Sequence, residues 1–247
     1  MPQLPGLALA RLICKACIND DFILAIIYGP LRMGKSAYAM KVMGQVYEYF
    51  YSKPLSVDLI TDYMGFHPAE VVDDWLGFGE KRIPMYVWDD AGYWLYSLDW
   101  NDPLLKAVQK YMNVVGTDMN CLMLTTPAPT WILSKILNMP GTVRGQIFKT
   151  QGDSDDRPSW IYARRCRGYK PYRMPDLKKT GVNILWEDDF SCRIPDEVYE
   201  YYYPLRKGYA LRAKQSIVDM LIPKKKGEDK SMDEIVEGLD WLSDKVK

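Results

Sequence analysis

The chain has 247 residues, 48% apolar and 26% charged, which is enough to bury a sizeable core and too apolar for a wholly disordered protein. Lysine plus arginine (32) equals aspartate plus glutamate (32). That balance excludes a protein that coats nucleic acid by bulk charge and confines any such contact to a local patch. Eighteen tyrosines, eight tryptophans and thirteen methionines read as core and interface packing.

The start of the chain, residues 1–20, has no basic leader region, and Arg11 and Lys15 interrupt its apolar stretch. No run reaches the roughly 18 to 20 apolar residues of a membrane span, so a cytoplasmic protein without a transmembrane segment is expected. The five cysteines are odd in number and irregularly spaced, which disfavours a secreted disulfide framework. Cys14 and Cys17 form a C-x-x-C, and His67 is the sole histidine. Without a partner pair the two read as buried thiols, with half of a zinc site or a redox pair as the alternative.

Residues Phe22 to Tyr28 form a continuous β-branched and aromatic run, as expected of a central strand covered on both faces. Directly after it stand Gly29, Pro30, Leu31, Arg32, Met33, Gly34, Lys35 and Ser36, followed by Ala37, which satisfies G-x-x-x-x-G-K-[ST]. Apolar residues at mixed three- and four-residue steps from Ala37 to Tyr51 then predict a helix. Two glycines let successive amides turn inward, and the helix adds its positive end, which makes an anion cradle. In such a cradle Lys35 reaches the outer phosphates of ATP and the Ser36 hydroxyl binds Mg²⁺.

Leu55 to Thr61 reads as a short strand and Pro68 to Leu76 as a helix with proline in its first turn. After a loop with Gly77, Gly79 and Pro84, the buried run Met85 to Trp88 ends in Asp89 and Asp90, acids at the strand end where α/β folds bind ligands. Asp89 is the candidate second Mg²⁺ residue. Helical segments follow over Ala91–Trp100 and Leu104–Val115, and another apolar run, Asn120 to Leu124, ends in Thr125, Thr126 and Pro127. Thr130 to Leu137 reads as a helix and Asn138 to Gly141 as a turn leading to Arg144. Five alternations of β and α within 150 residues imply an α/β fold with a mostly parallel central sheet flanked by helices.

The texture changes near residue 146. Gln146–Thr150 and Trp160–Arg165 suggest a β-hairpin that extends the sheet, and Val182–Trp186 one more strand. Pro195–Lys214 reads as a helix interrupted at Pro204. Pro223–Lys230 is a charged linker, and Met232, Ile235, Val236, Leu239, Leu242 and Val246 line one face of a final amphipathic helix, suited to its own domain or to a protein partner. The expected organisation is an N-terminal segment (1–20), a core (21–150), a basic hairpin and helical extension (151–222), and a linker with a helical tail (223–247).

Charge is segregated. Asp58 to Asp102 holds ten acids and two bases, a net of −8, whereas Gly141 to Thr180 holds ten bases and four acids, a net of +6. Arg164, Arg165, Arg167, Lys170 and Arg173 interleave with tyrosines, as in surfaces that neutralise phosphates and stack on bases. The plainer alternative is a hairpin face whose arginines pair with nearby acids.

The phosphate loop followed by an Asp-Asp strand resembles the ASCE division of P-loop ATPases, of the RecA-like, FtsK/HerA-like or AAA+ type. In that division Asp90 takes the place of the glutamate that polarises the attacking water, one methylene shorter here. The strand after the acidic one ends in a polar sensor between the carboxylates and the γ-phosphate, a role for Thr125 or Thr126. Arg144 stands where ring-forming members carry an arginine finger. The absence of an all-helical lid favours a RecA-like or FtsK/HerA-like core over a full AAA+ module. The order of loop, acids, threonines and basic hairpin, over roughly residues 20 to 150, is similar to ATPases of archaeal viruses and plasmids, themselves likened to FtsK/HerA-type genome-packaging motors, to filamentous-phage assembly ATPases of the Zot type and to DnaA-like replication proteins. Two departures stand against closer assignment: threonines where FtsK/HerA-like motors commonly have glutamine, and no helical lid of the DnaA-like kind.

The resemblance implies an oligomeric Mg²⁺-dependent ATPase that translocates, packages or remodels DNA, in the host cytoplasm if viral. The alternative is an ATP-dependent assembly or morphogenesis protein that acts on protein partners without DNA. A small-molecule kinase is a third reading, disfavoured by the arginine-poor stretch between the loop and Asp89. ATP is the default nucleotide, since no N-K-x-D guanine-reading motif is present.

Overall fold

In the structure, a computed structural model, residues 4–150, 163–174 and 179–221 are described. The first helix, α1 (Ala8–Ile18), precedes β1 (Ile23–Tyr28) and α2 (Lys35–Tyr51). Then come α3 (Val57–Tyr63), β2 (Met64–Gly65), α4 (Pro68–Gly77), β3 (Tyr86–Trp88), α5 (Ala91–Trp94) and α6 (Pro103–Tyr111). The remainder is β4 (Cys121–Thr126), α7 (Ser134–Leu137), β5 (Val143–Lys149), β6 (Ala163–Met174), β7 (Lys179–Ser191) and α8 (Asp196–Leu221).

The strands form one seven-stranded mixed sheet in the order β2-β3-β4-β1-β5-β6-β7. The first five are parallel; β6 and β7 run antiparallel and extend one edge. Because side chains alternate along a strand, Leu24, Ile26, Tyr86, Trp88, Leu122 and Leu124 face one side, where Val71, Trp75, Leu105, Val108, Met112 and Ile136 cover them. Ala25, Ile27, Val87 and Met123, also buried, face the other side, where α2 lies on β1, β3 and β4. The phosphate-loop strand is thus covered on both faces, as its unbroken apolar run requires.

The helices predicted over Ala91–Trp100 and Thr130–Leu137 shorten to Ala91–Trp94 and Ser134–Leu137, each beside a short 3-10 turn, and two further sequence expectations give way. Leu55–Thr61 is not a strand: the Ser56 hydroxyl accepts from Leu59 N and starts α3, so an N-cap overrides local β-propensity and the strand is reduced to Met64–Gly65. Pro204 does not interrupt α8, which runs through it. The sole histidine is a cap: the His67 ring accepts from Ala69 N, and the Glu70 side chain returns to the His67 amide.

Nothing in the sequence announced α1 as part of the core, yet Leu9 and Ile13 are fully buried and the helix packs on α2 and β7. Its first-turn amides, which have no intrahelical partner, are met by Asp188 of β7: Ala8 N and Leu9 N donate at 2.6 and 3.1 Å. Tyr38 of α2 donates to the same carboxylate at 2.7 Å, and the Trp186 indole donates to the Tyr38 oxygen at 3.1 Å. The Trp186 ring lies on Gly168, where a Cβ would meet it at 1.9 Å, so only glycine fits that position. Helix α1 is therefore packed as part of the core.

The chain divides into two compact units, residues 1–202 and 203–247, with the boundary beside Pro204. The linker 223–230 and the tail helix predicted beyond it lie outside the described residues, as does the start of the predicted Trp160–Arg165 strand. Among the described residues no helix is long and apolar enough to cross a membrane.

Candidate functional site

The phosphate loop connects the C-terminal end of β1 to the first turn of α2, as the motif requires. Gly29, Arg32 and Gly34 all have positive φ, at 152°, 63° and 88°. Gly34 is further constrained by a close approach, since a Cβ there would lie 2.4 Å from Cys192 Sγ. Lys35 is buried and donates to the carbonyls of Gly29 and Pro30 at 2.9 Å each, so the ammonium is held inside the loop. Pro30, Leu31 and Arg32 are exposed on its rim, Met33 and Ser36 are buried, and Ala37 is half-buried at the helix start.

Asp89 stands at the end of β3 with no exposed surface. Ser36 Oγ donates toward both of its oxygens, at 3.0 and 2.9 Å. Strand β4 comes after β3 in sequence but lies between β3 and β1 in space. It thereby brings Thr125 against the acids: Thr125 Oγ1 donates to Asp89 Oδ1 at 2.5 Å and accepts from Asp90 N at 2.8 Å. Asp90 is half-buried and holds φ 50°, left-handed for a non-glycine residue, at the entry to α5. Such conformations concentrate at functional sites.

Of the two threonines weighed as sensor, Thr125 is the one whose hydroxyl meets both Asp89 and Asp90. Thr126, expected in the catalytic set, is wholly buried and gives its hydroxyl to Ala128 O at 2.9 Å. It closes the strand as a Thr-Pro turn.

Two contributors come from the C-terminal third and carried no sequence signal. Cys192, just past β7, sits over Gly34 with its thiol toward Met33 O at 3.9 Å. Tyr202 of α8 donates to Asp89 Oδ2 at 2.7 Å. Nearby on α2, burial lowers the Lys41 pKa, with Cys192 acting in the opposite sense. Ser36 and Asp89 offer only oxygens, one a buried carboxylate, which suits a hard cation that takes its remaining ligands from water and substrate phosphates.

Arg144 lies early in β5, paired in register with Ile26, and its Nη2 donates to Leu137 O at 3.3 Å and Asn138 Oδ1 at 3.4 Å. It is held by its own chain. The basic hairpin also differs from a free cationic surface. Arg164 is 2% exposed and faces inward, so it is corrected from the candidate nucleic-acid contacts. Arg165 forms a two-pronged pair with Asp189 at 2.7 and 2.8 Å, and Arg167 pairs with Glu187 and lies over the Phe148 ring. Lys170 is exposed; the Arg173 side chain is outside the described residues.

The C-x-x-C falls within α1, and burial pushes the Cys14 thiol up to about 11 and the Cys17 thiol up to about 12. Burial thus disfavours the thiolate, the form that binds metal or attacks a disulfide, at both positions. Among the described residues no group of three or more His, Cys, Asp or Glu is placed to hold a metal.

A loop with two positive-φ glycines between β1 and α2, with a buried acid against its serine, resembles the arrangement of P-loop NTPases, and the chain is similar to proteins of archaeal viruses. It is 25% identical over 234 residues to the uncharacterized protein B-251 of Sulfolobus spindle-shape virus 1, covering 92% of this chain and 91% of that protein. It also matches the genome packaging NTPase B204 of Sulfolobus turreted icosahedral virus 2, solved in complex with ATP-gammaS, at 11% identity and a TM-score of 0.32, over 66% of this chain and 96% of that one. No family model matches the chain.

Proposed function

We propose that the chain is a Mg²⁺-dependent ATPase with a RecA-like core that couples hydrolysis to translocation, packaging or remodelling of DNA. The observation that carries the reading is the contact of Ser36 with Asp89 at the mouth of the phosphate loop, with β4 inserted between the two strands concerned. Amides of residues 29–36 bind the β- and γ-phosphates, and Lys35 turns from the loop carbonyls to phosphate oxygens. Ser36 and Asp89 hold Mg²⁺, which when bound neutralises charge on the β- and γ-phosphates. Asp90 orients and deprotonates the attacking water, and Thr125 fixes the backbone of Asp90 and the carboxylate of Asp89 together.

Arg144 is proposed to act on a neighbouring subunit's γ-phosphate in a homo-oligomer, which requires it to leave Leu137 and Asn138. Arg144→Ala should then abolish hydrolysis and leave ATP binding intact; unchanged turnover removes it from the mechanism.

DNA contact is proposed for Arg165, Arg167, Lys170 and Arg173. The pairing of Arg165 and Arg167 with Asp189 and Glu187 favours, in turn, the second reading, an ATP-dependent assembly protein without DNA. Turnover with and without single- and double-stranded DNA, with Lys35→Ala as control, separates the two. Stimulation by DNA supports the motor, and DNA-independent turnover with ATP-dependent oligomerisation supports the assembly protein.

A further inference from the structure

Asp89 has no exposed surface and three hydroxyl groups donate to it, from three different elements. Their roles differ. Ser36 has one hydroxyl hydrogen and lies nearly equidistant from both oxygens, so it does not distinguish them. Thr125 is committed to Oδ1 and Tyr202 to Oδ2. One fixed donor on each oxygen sets the plane of the carboxylate and thereby the direction of its remaining lone pairs.

Tyr202 is itself well anchored. It is 6% exposed, and its ring packs 5.6 Å from that of Phe66. The Phe66 carbonyl accepts from the Trp88 indole at 2.9 Å, and Asp89 N donates to Gly65 O at 2.9 Å. The phenol and the carboxylate it addresses are thus referenced to the same short stretch of backbone. A donor held in that way orients a metal-binding carboxylate more strictly than a solvent-exposed hydroxyl does.

We propose that Tyr202 is a positioning residue of the magnesium–nucleotide site, its hydroxyl holding Asp89 Oδ2 so that the carboxylate presents a fixed face toward Ser36. This rests on the reading of Ser36 and Asp89 as the Mg²⁺ pair. It places a determinant of metal affinity on α8, outside the motif-bearing core. Tyr202→Phe keeps the ring that packs on Phe66 and removes the hydroxyl that donates to Asp89.

Calorimetric titration of ATP-gammaS with and without Mg²⁺ tests it on the wild type, Tyr202→Phe and Tyr201→Phe. Tyr201, whose hydroxyl meets exposed Thr61 at 3.0 Å, serves as the control. Tyr202→Phe should bind metal-free nucleotide as the wild type does and lose about 10-fold of the affinity gained on adding Mg²⁺, with Tyr201→Phe unchanged in both. The Mg²⁺ concentration for half-maximal turnover of Tyr202→Phe should rise by a similar factor. Equal loss of metal-free and metal-bound affinity, or a full Mg²⁺ gain in Tyr202→Phe, overturns the proposal while leaving the phosphate-loop reading standing. No Mg²⁺ gain in the wild type overturns both.

Discussion

Ser36 Oγ lies 3.0 and 2.9 Å from the two carboxylate oxygens of Asp89, a wholly buried residue 53 positions further along the chain. The contact ties the first turn of α2 to the end of β3 across the intervening strand β4. Burying an ionised carboxylate is costly unless its oxygens are hydrogen-bonded, and here Ser36, Thr125 and Tyr202 satisfy them with neutral hydroxyls.

Asp89→Asn should therefore damage both chemistry and fold. An amide presents only one accepting oxygen, so at least one hydroxyl now faces an N–H₂ group and is left unpaired. The expected loss of stability is about 1–3 kcal/mol, read from urea denaturation, together with loss of Mg²⁺-dependent turnover.

Thr125 and Thr126 are adjacent but are predicted to respond differently. Thr125→Val removes the bridge between Asp89 and Asp90 and should lower turnover by about 10-fold or more, of the order found for partners that orient a catalytic group. Thr126→Val breaks only the turn contact to Ala128 O and should change stability more than rate. Steady-state kinetics with thermal melts checks the contrast.

Asp74 supplies a pH dependence. Burial raises its pKa above the usual carboxylate value, with Glu70, Asp73 and Asp62 adding in the same direction and the Tyr86 hydrogen bond opposing. A carboxyl whose folded pKa is raised contributes stability that is fully present below the unfolded value and is lost as pH rises through the folded one. Asp74→Asn should thus raise the melting temperature at pH 7, and the difference from the wild type should close as pH falls toward about 4. Melts across that range read it directly.

The parts of the site legible in the sequence were those whose chemistry is local. Gly29 to Ser36 needs only adjacent residues, and the acids after Met85–Trp88 needed only a buried run with charge at its end. Asp188 beneath α1, Cys192 over Gly34 and Tyr202 on Asp89 depend on contacts across 113 to 180 positions, which no periodicity records. The hairpin arginines show the same limit from the other side. Their spacing was visible, but pairing with Asp189 and Glu187 follows from the β6–β7 register, and the inward face of Arg164 from the alternation of β6. In Leu55–Thr61 one serine cap outweighs the three β-favouring side chains Val57, Ile60 and Thr61.

The most direct test of the central claim is the affinity of Mg²⁺·ATP-gammaS for the wild type against Lys35→Ala, measured by calorimetry on folded protein. If the loop of residues 29–36 grips a triphosphate beside an Asp89-anchored magnesium, the wild type binds and Lys35→Ala loses about 10- to 100-fold, the worth of one charge-assisted hydrogen bond. Equal affinity of the two proteins, or no binding by the wild type, would contradict it.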